Sequence, residues 1–213
     1  MSRRTSALTV LALAVGLSAC AASPFTGPIE VTRFAAAQTA GLGQGTIAVR
    51  FARELENEDA LDAFRAAVSD ELSLQGYTVI ANEEIAGQIA TVDTARNPIA
   101  AADQGSPVNV GVGGGTGTFG SGVGLGVGIN LGGGSDQSPR VVSELSVAIA
   151  SRASTTAPQN LWEARAQFPT SVNSPYAPVE VNARALAAAI FKDFPQGNGQ
   201  TVSLKASELI ETQ

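Results

Sequence analysis

The sequence contains no histidine, and Cys20 is its only cysteine. Histidine is the commonest general base in enzymes and the commonest ligand of transition metals, so its absence removes the usual serine–histidine triad and most zinc sites. A single cysteine cannot form a disulfide within the chain. We therefore predict that the protein has no metal site and uses no cofactor.

Basic residues are also scarce, and they are scattered along the chain. The 213 residues include 13 Lys and Arg against 19 Asp and Glu, which gives a formal net charge of −6. Proteins that bind nucleic acids or anionic lipids do so through clusters of basic side chains. The sequence therefore predicts no nucleic-acid partner, and attachment to a membrane must come from another feature.

The first 19 residues have the three parts of a secretory signal peptide. Arg3 and Arg4 supply the positive charge, and residues 7–16 form an apolar run that is too short to span a bilayer. The segment ends in a sequence that resembles the lipobox of bacterial lipoproteins at every position, namely Leu17, Ser18, Ala19 and Cys20.

The lipobox resemblance implies cleavage before Cys20 and attachment of a diacylglyceryl group to its thiol. Each buried methylene contributes about 0.8 kcal/mol, so the acyl chains would anchor the protein durably. Ala21 follows the cysteine, whereas in the enterobacterial sorting rule an aspartate there would retain the protein at the inner membrane. We therefore predict a membrane partner through the lipid on Cys20 and a location at the outer membrane, facing the periplasm.

Hydrophobic periodicity predicts the α+β class, with two helices packed on one face of a mostly antiparallel sheet. The helices are expected between Asp59 and Gly76 and over 179–194, and a short first strand is expected over 29–34. The predicted organisation is a signal peptide (1–19), lipidated Cys20 with a flexible tether (20–45), a single domain (46–205) and a tail (206–213).

Residues 105–134 contain 14 glycines and no charged residue, and three structures compete for them: a membrane helix, a disordered linker and a β-hairpin. Each helical glycine costs about 1 kcal/mol relative to alanine, so this density disfavours a helix. Apolar residues fall at every second position in 108–112 and 123–131, which favours a hairpin. Its glycine face is a candidate partner surface, comprising Gly122, Gly124, Gly126 and Gly128.

Carboxylates on predicted strands are the remaining candidates for chemistry, namely Asp93, Glu144 and Glu163, and Arg165 shares a face with Glu163. The simpler interpretation is a solvated outer face with a local ion pair, which contributes little stability. A pair of carboxylates serving a hydrolase is the alternative. Trp162, the only tryptophan, is expected in the core or, as a second candidate, on the partner surface.

Several segments along the chain together resemble one known family. They read PIEVTRF, GTIAVR, ELSLQGYTV, VGVGGGTG, GVGLGVG, ELSVAI and ALAAAIFKDFPQGNGQTVSL. In these segments the chain is similar to proteobacterial lipoproteins that carry domain of unknown function 4136, and the likeness covers nearly all of the chain after the signal. The resemblance implies a lipoprotein without an established activity and without catalytic residues to carry over.

The leading hypothesis is a non-enzymatic, lipid-anchored module that binds an envelope protein or a cell-wall component through its glycine face and an exposed sheet edge. The alternative is an envelope-maintenance hydrolase or a small-molecule binder that uses the strand carboxylates. A pocket with converging Asp or Glu would favour the alternative, whereas a flat apolar or glycine-lined surface would favour the binding module.

Overall fold

The computed structural model describes residues 24–37, 39–53, 58–99, 109–110, 129–130, 139–152 and 160–210. The predicted signal peptide, the lipobox and Cys20 lie outside these ranges, and so does most of the glycine-rich segment.

Regular structure within the described ranges comprises nine strands and three helices. The strands are β1 (Ile29–Ala35), β2 (Thr46–Phe51), β3 (Thr78–Val79), β4 (Gln88–Ile99), β5 (Asn109–Val110), β6 (Ile129–Asn130), β7 (Arg140–Ser151), β8 (Asn160–Ser171) and β9 (Asn198–Leu204). The helices are α1 (Glu58–Leu74), α2 (Val179–Phe191) and α3 (Ala206–Ile210).

Seven of the strands form one mixed sheet in the order β3-β2-β4-β7-β8-β1-β9. The pairs β2–β3 and β2–β4 are parallel, and the other four neighbouring pairs are antiparallel. The parallel part arises because β2 and β3 are joined through α1, and a parallel pair needs such a crossover. The predicted α+β class and the mostly antiparallel sheet are therefore confirmed.

The core follows the periodicities of the sequence. Apolar residues recur at every second position of β7 and β8, as expected of strands with one face in the core. The buried residues there include Leu145, Val147, Trp162 and Ala164. At its end β8 is buried on both faces, over its last six residues. Phe64, Val68 and Leu72 are buried along α1, and Leu186 and Ile190 along α2. These helical residues belong to the same hydrophobic cluster as the inward residues of the sheet. α1 and α2 also contact each other.

The predicted domain limits are wrong at both ends. β1 lies inside the segment expected to be a flexible tether, yet it is paired on both sides, with β8 and β9, and Ile29 and Val31 are fully buried. At the other end α3 lies in the expected tail, where Ala206 and Leu209 are buried. The sheet therefore needs β1 as an interior strand, and the folded part extends beyond 205.

Only four residues of the glycine-rich segment belong to the described part, and they form a two-stranded pair. Asn109 pairs with Asn130 and Val110 with Ile129, antiparallel. The rest of the predicted hairpin lies outside the described residues, so the hairpin stays a prediction. Among the described helices, none has the length and apolarity required to cross a membrane.

Candidate functional site

The strand carboxylates singled out by the sequence lie on the sheet face that alternates with the core side chains. In the register, Glu144 is opposite Gln167, and Ser146 is opposite both Arg165 and Asp93. Residues directly opposite each other in an antiparallel pair place their side chains on the same face. We call this surface the polar face and define it by the side chains of Asp93, Glu144, Ser146, Glu163, Arg165 and Gln167.

Asp93 forms an ion pair at the rim of the polar face. Arg53 Nε donates to Asp93 Oδ1 at 2.7 Å, and the side chains are 60% and 29% exposed. At this exposure water screens the pair, so its contribution to stability is about 1 kcal/mol or less. The carboxylate of Asp93 is thus engaged by a guanidinium of its own chain.

Glu144 is the partly buried carboxylate of the polar face. Gln167 Nε2 donates to Glu144 Oε1 at 3.3 Å. Burial raises the pKa of Glu144 above its ordinary value, because desolvation disfavours the charged form. Asp93 raises this pKa further, and Arg165, Arg53 and the hydrogen bond from Gln167 act in the opposite direction.

Gln167 is only 5% exposed although it alternates with core residues. Its Oε1 atom is buried and has no hydrogen-bond partner among the described residues. A buried amide oxygen without a donor costs free energy. Alternation along β8 predicts which face Gln167 occupies but carries no signal of its burial.

Arg165 behaves differently from the sequence expectation. It shares the polar face with Glu163, as predicted, but its Nε donates to Ser146 Oγ on β7 at 3.3 Å. The structure therefore brings Asp93, Glu144 and Arg165 into one charged neighbourhood across β4, β7 and β8. Glu163 lies one step further along β8, opposite Ala148 and Phe34.

A cavity of about 500 Å³ lies elsewhere in the fold, next to the start of β2. Its lining residues come from the loop before β2, the first residue of β2 and three further segments, namely Ala40, Gly41, Gln44, Gly45, Thr46, Gly87, Gln88, Ser151 and Leu161. None of these lining residues carries an ionisable side chain. The strand carboxylates that a hydrolase would need do not converge on this cavity.

Gln88 holds the wall of that cavity in place. Its Nε2 donates to the carbonyl of Gly41 at 2.7 Å and to that of Gln44 at 3.3 Å, while its Oε1 accepts from Tyr77 Oη at 3.0 Å. The side-chain hydrogen bonds of Gln88 thus join the loop before β2 to Tyr77 and β4. This role depends on contacts between distant segments, and the sequence offers no local signal for it.

The assignment of Trp162 to the partner surface is wrong. Its side chain is 1% exposed, stacks on Phe191 at a centroid distance of 5.5 Å, and meets Phe194 edge-on at 5.0 Å. Trp162 Nε1 donates to the carbonyl of Gln196 at 3.3 Å, so its polar atom is also satisfied inside the protein. Alternation along β8 directs this residue into the core, the first of the two expectations for it.

The other candidate residues of the sequence stay untested. Gly122, Gly124, Gly126 and Gly128 lie outside the described residues, as do Cys20 and the lipobox. Within the described ranges no three His, Cys, Asp or Glu side chains are grouped as a metal site would require.

No family model and no curated protein matches the chain. A PDZ domain protein from Parabacteroides distasonis ATCC 8503 is similar in structure, with a TM-score of 0.48 and 13% identity over 84% of this chain and 38% of that one. The PelC dodecamer from Paraburkholderia phytofirmans has a TM-score of 0.43 and 11% identity over 76% of this chain and 93% of that one. This chain thus spans 38% of the length of the first structure. Similarities at this level carry no functional inference.

Proposed function

We propose that the protein is a lipid-anchored lipoprotein of the outer membrane that faces the periplasm and binds another envelope component without catalysing a reaction. The lipid would be attached to Cys20, because the only cysteine of the chain follows Leu17, Ser18 and Ala19 as in a lipobox. Membership of the lipoproteins with domain of unknown function 4136 is part of this proposal, and so is the absence of a cofactor.

The proposal that the protein catalyses no reaction is supported by one observation: the strand carboxylates lie apart from the cavity. Asp93 and Glu144 lie on the polar face, where Arg53 and Gln167 already bond them. The described walls of the cavity offer only small, amide, hydroxyl and apolar groups. A hydrolase needs its acid and base to converge on one substrate position, whereas a surface that carries charged side chains of both signs suits recognition of another macromolecule.

We further propose that α1 and α2 both pack on one face of the sheet. The polar face would then be turned toward a partner. The shared hydrophobic cluster of α1, α2 and the sheet supports the helix arrangement. We also propose that the glycine-rich segment is a hairpin beside the domain, and the pairing of Val110 with Ile129 supports this. Its glycine face would extend the contact surface.

Site-specific photocrosslinking in intact cells tests the binding module. A benzophenone amino acid at position 163 places the probe on the polar face, and the same probe at Arg184 on the exposed side of α2 is the matched control. We expect discrete adducts with another envelope component from position 163 and none from position 184. Equal adducts from both positions, or none from either, would contradict the proposed contact surface.

Metabolic labelling tests the anchor separately. A palmitate analogue should label the natural chain and leave a Cys20→Ser variant unlabelled, because that thiol is the acceptor implied by the lipobox. Equal labelling of both chains would exclude lipidation at Cys20 while leaving the photocrosslinking result untouched.

The alternative function, a hydrolase or small-molecule binder of the cell envelope, is favoured by one observation. Burial raises the pKa of Glu144, and a raised carboxyl pKa is a property of many general acids. Asp93 is its diagonal neighbour on the adjacent strand. Loss of a measurable envelope-hydrolase activity in a folded Glu144→Gln variant would support this alternative over the binding module.

A further inference from the structure

The seven-stranded sheet has two edges that differ strongly in length. One edge is β3, which has two residues, and the other is β9, which has seven. β9 pairs with β1 on its inner side, and no described residue pairs with its outer side. A strand at a sheet edge presents a row of N–H and C=O groups that another strand can bind.

β9 has few of the features by which proteins usually protect such an edge. One such feature is the register shift in its pairing with β1 between Thr32 and Phe34, and the part from Thr201 to Leu204 is regular. Charged residues, proline and shortness are the common devices, but Asn198–Leu204 contains neither a charged residue nor a proline. Most of its residues are exposed, and Val202 is a 39% exposed apolar side chain at the rim of the core. An uncharged edge that no described residue covers is suited to strand addition.

The hydrogen bonds of β9 indicate which groups point outward. Ala35 N donates to the carbonyl of Gly197, so Ala35 of β1 faces β9. Main-chain direction alternates along a strand, so Val31 and Ile29 also face β9, where they pair with Val202 and Leu204. Val202 and Leu204 therefore bond β1. Ser203 between them and Thr201 beside them turn their N–H and C=O outward. Two β9 strands that run antiparallel can bond each other about a two-fold axis. On that axis, Val202 lies opposite Val202 of the other copy.

We propose that β9 pairs with β9 of a second copy of this chain, joining two sheets into one across a two-fold axis at Val202. The uncharged edge favours a second copy, because two acidic chains, each with a formal charge of −6, can approach there without charged side chains facing each other. The axis also lets the two exposed Val202 side chains cover one another. A strand pair of this length buries less than a standard interface, so the dimer is weak and reversible.

Cysteine pairing in the membranes of cells that make the full chain tests the register. Val202→Cys should form a disulfide dimer on mild oxidation, because residues on the axis meet their own copies. Gln200→Cys and Leu204→Cys should form one efficiently only when the two variants are expressed together. Thr78→Cys on the exposed β3 edge and the natural chain are the controls, and neither should form the dimer. Dimers of equal yield from Thr78→Cys, or adducts of Val202→Cys with a different protein alone, would overturn the proposal.

Sedimentation of the detergent-solubilised full chain supplies a measurement that needs no cysteine. The natural chain should show a concentration-dependent monomer–dimer equilibrium. Val202→Lys places two like charges at the axis and should weaken the dimer about tenfold or more, whereas Val202→Thr should weaken it less. An unchanged melting temperature shows that each variant is folded. A natural chain that stays monomeric at every concentration, or a dimer that Val202→Lys leaves intact, would refute pairing through β9.

Discussion

The guanidinium of Arg33 on β1 binds the carboxyl-terminal end of α2, where its Nε donates to the carbonyl of Ile190 at 2.8 Å. Its Nη2 donates to the carbonyl of Ala189. The carbonyls on either side are bonded by main-chain groups, that of Ala188 by Lys192 N and that of Phe191 by Phe194 N. Arg33 thus completes the end of a helix whose last carbonyls would otherwise lack partners.

Replacement of Arg33 should destabilise the fold strongly. Arg33 is 8% exposed, and burial lowers its pKa while Asp193 opposes that shift. Arg33→Met fills the space but leaves two buried carbonyls unbonded, which costs about 3 kcal/mol or more of unfolding free energy. Urea denaturation measures the loss. Arg50→Met is the control, because Arg50 is an exposed arginine whose ion-pair distance is 3.6 Å, and it should cost about 1 kcal/mol or less. Equal losses for both variants would show that Arg33 has no special role.

Gly76 ends α1 in the conformation that the sequence predicts for a glycine at this place. Its φ is +101°, Tyr77 N donates to the carbonyl of Leu72, and Gly76 N donates to that of Ser73, as in a Schellman motif. An added Cβ would lie 2.7 Å from the carbonyl oxygen of Gly43. Gly76→Ala should therefore lower the unfolding free energy by about 1–3 kcal/mol, from strain and contact together.

Gly87→Ala is the matched control for that substitution. The nearest described atom to its Cβ would be the carbonyl oxygen of Thr46 at an ordinary 3.4 Å, and its φ is not in the left-handed region. Its effect on stability should stay within about 1 kcal/mol. Thermal unfolding of both variants checks the comparison, and a Gly76→Ala variant as stable as Gly87→Ala would show that the loop at Gly43 yields easily.

Much of the sheet could be predicted because apolar side chains recur at every second position of β7 and β8. Leu145 and Val147 on β7, and Trp162 and Phe168 on β8, are buried on the face that the two-residue period assigns to them. The position of β1 could not be predicted in this way, because pairing with β8 and β9 joins segments far apart in sequence. The burial of Arg33 could not be predicted for the same reason, because its partners are the carbonyls at the end of α2, far away in the sequence.

In the candidate site, too, the features that depend on local sequence could be predicted, and those that depend on contacts across strands could not. Alternation correctly places Glu163 and Arg165 on a shared face, because that depends only on neighbours along β8. The raised pKa of Glu144 and the burial of Gln167 depend on contacts across strands, for which a single sequence has no local pattern.

Burial of Trp162 makes it a probe of the core. As the only tryptophan of the chain, it should show blue-shifted emission that acrylamide quenches poorly, and unfolding should shift that emission to the red. Trp162→Ala would remove the ring between Phe191 and Phe194 and should cost about 3–5 kcal/mol. Emission of the folded protein at the wavelength of free tryptophan would contradict the burial and restore the partner-anchor hypothesis.

Glu144 should make the stability of the fold fall as the pH rises. Because burial raises its pKa in the folded state, the folded chain binds a proton that the unfolded chain has already released. The stabilisation from that proton is complete below the unfolded pKa and is lost as the pH rises through the folded one. Glu144→Gln, which is neutral at every pH, should therefore be more stable than the natural chain at about pH 8 and equally stable at about pH 4.

Urea denaturation of the natural chain and of Glu144→Gln across that pH range separates this cause from others. Every other titrating group is common to both proteins, so the difference between their unfolding free energies isolates position 144. The difference should shrink toward zero on acidification, because protonated Glu144 is neutral, as is the glutamine that replaces it. A variant that is less stable at about pH 8 would mean that the charged carboxylate is favoured by Arg165 and Arg53 more than it is penalised by burial, contrary to the raised pKa.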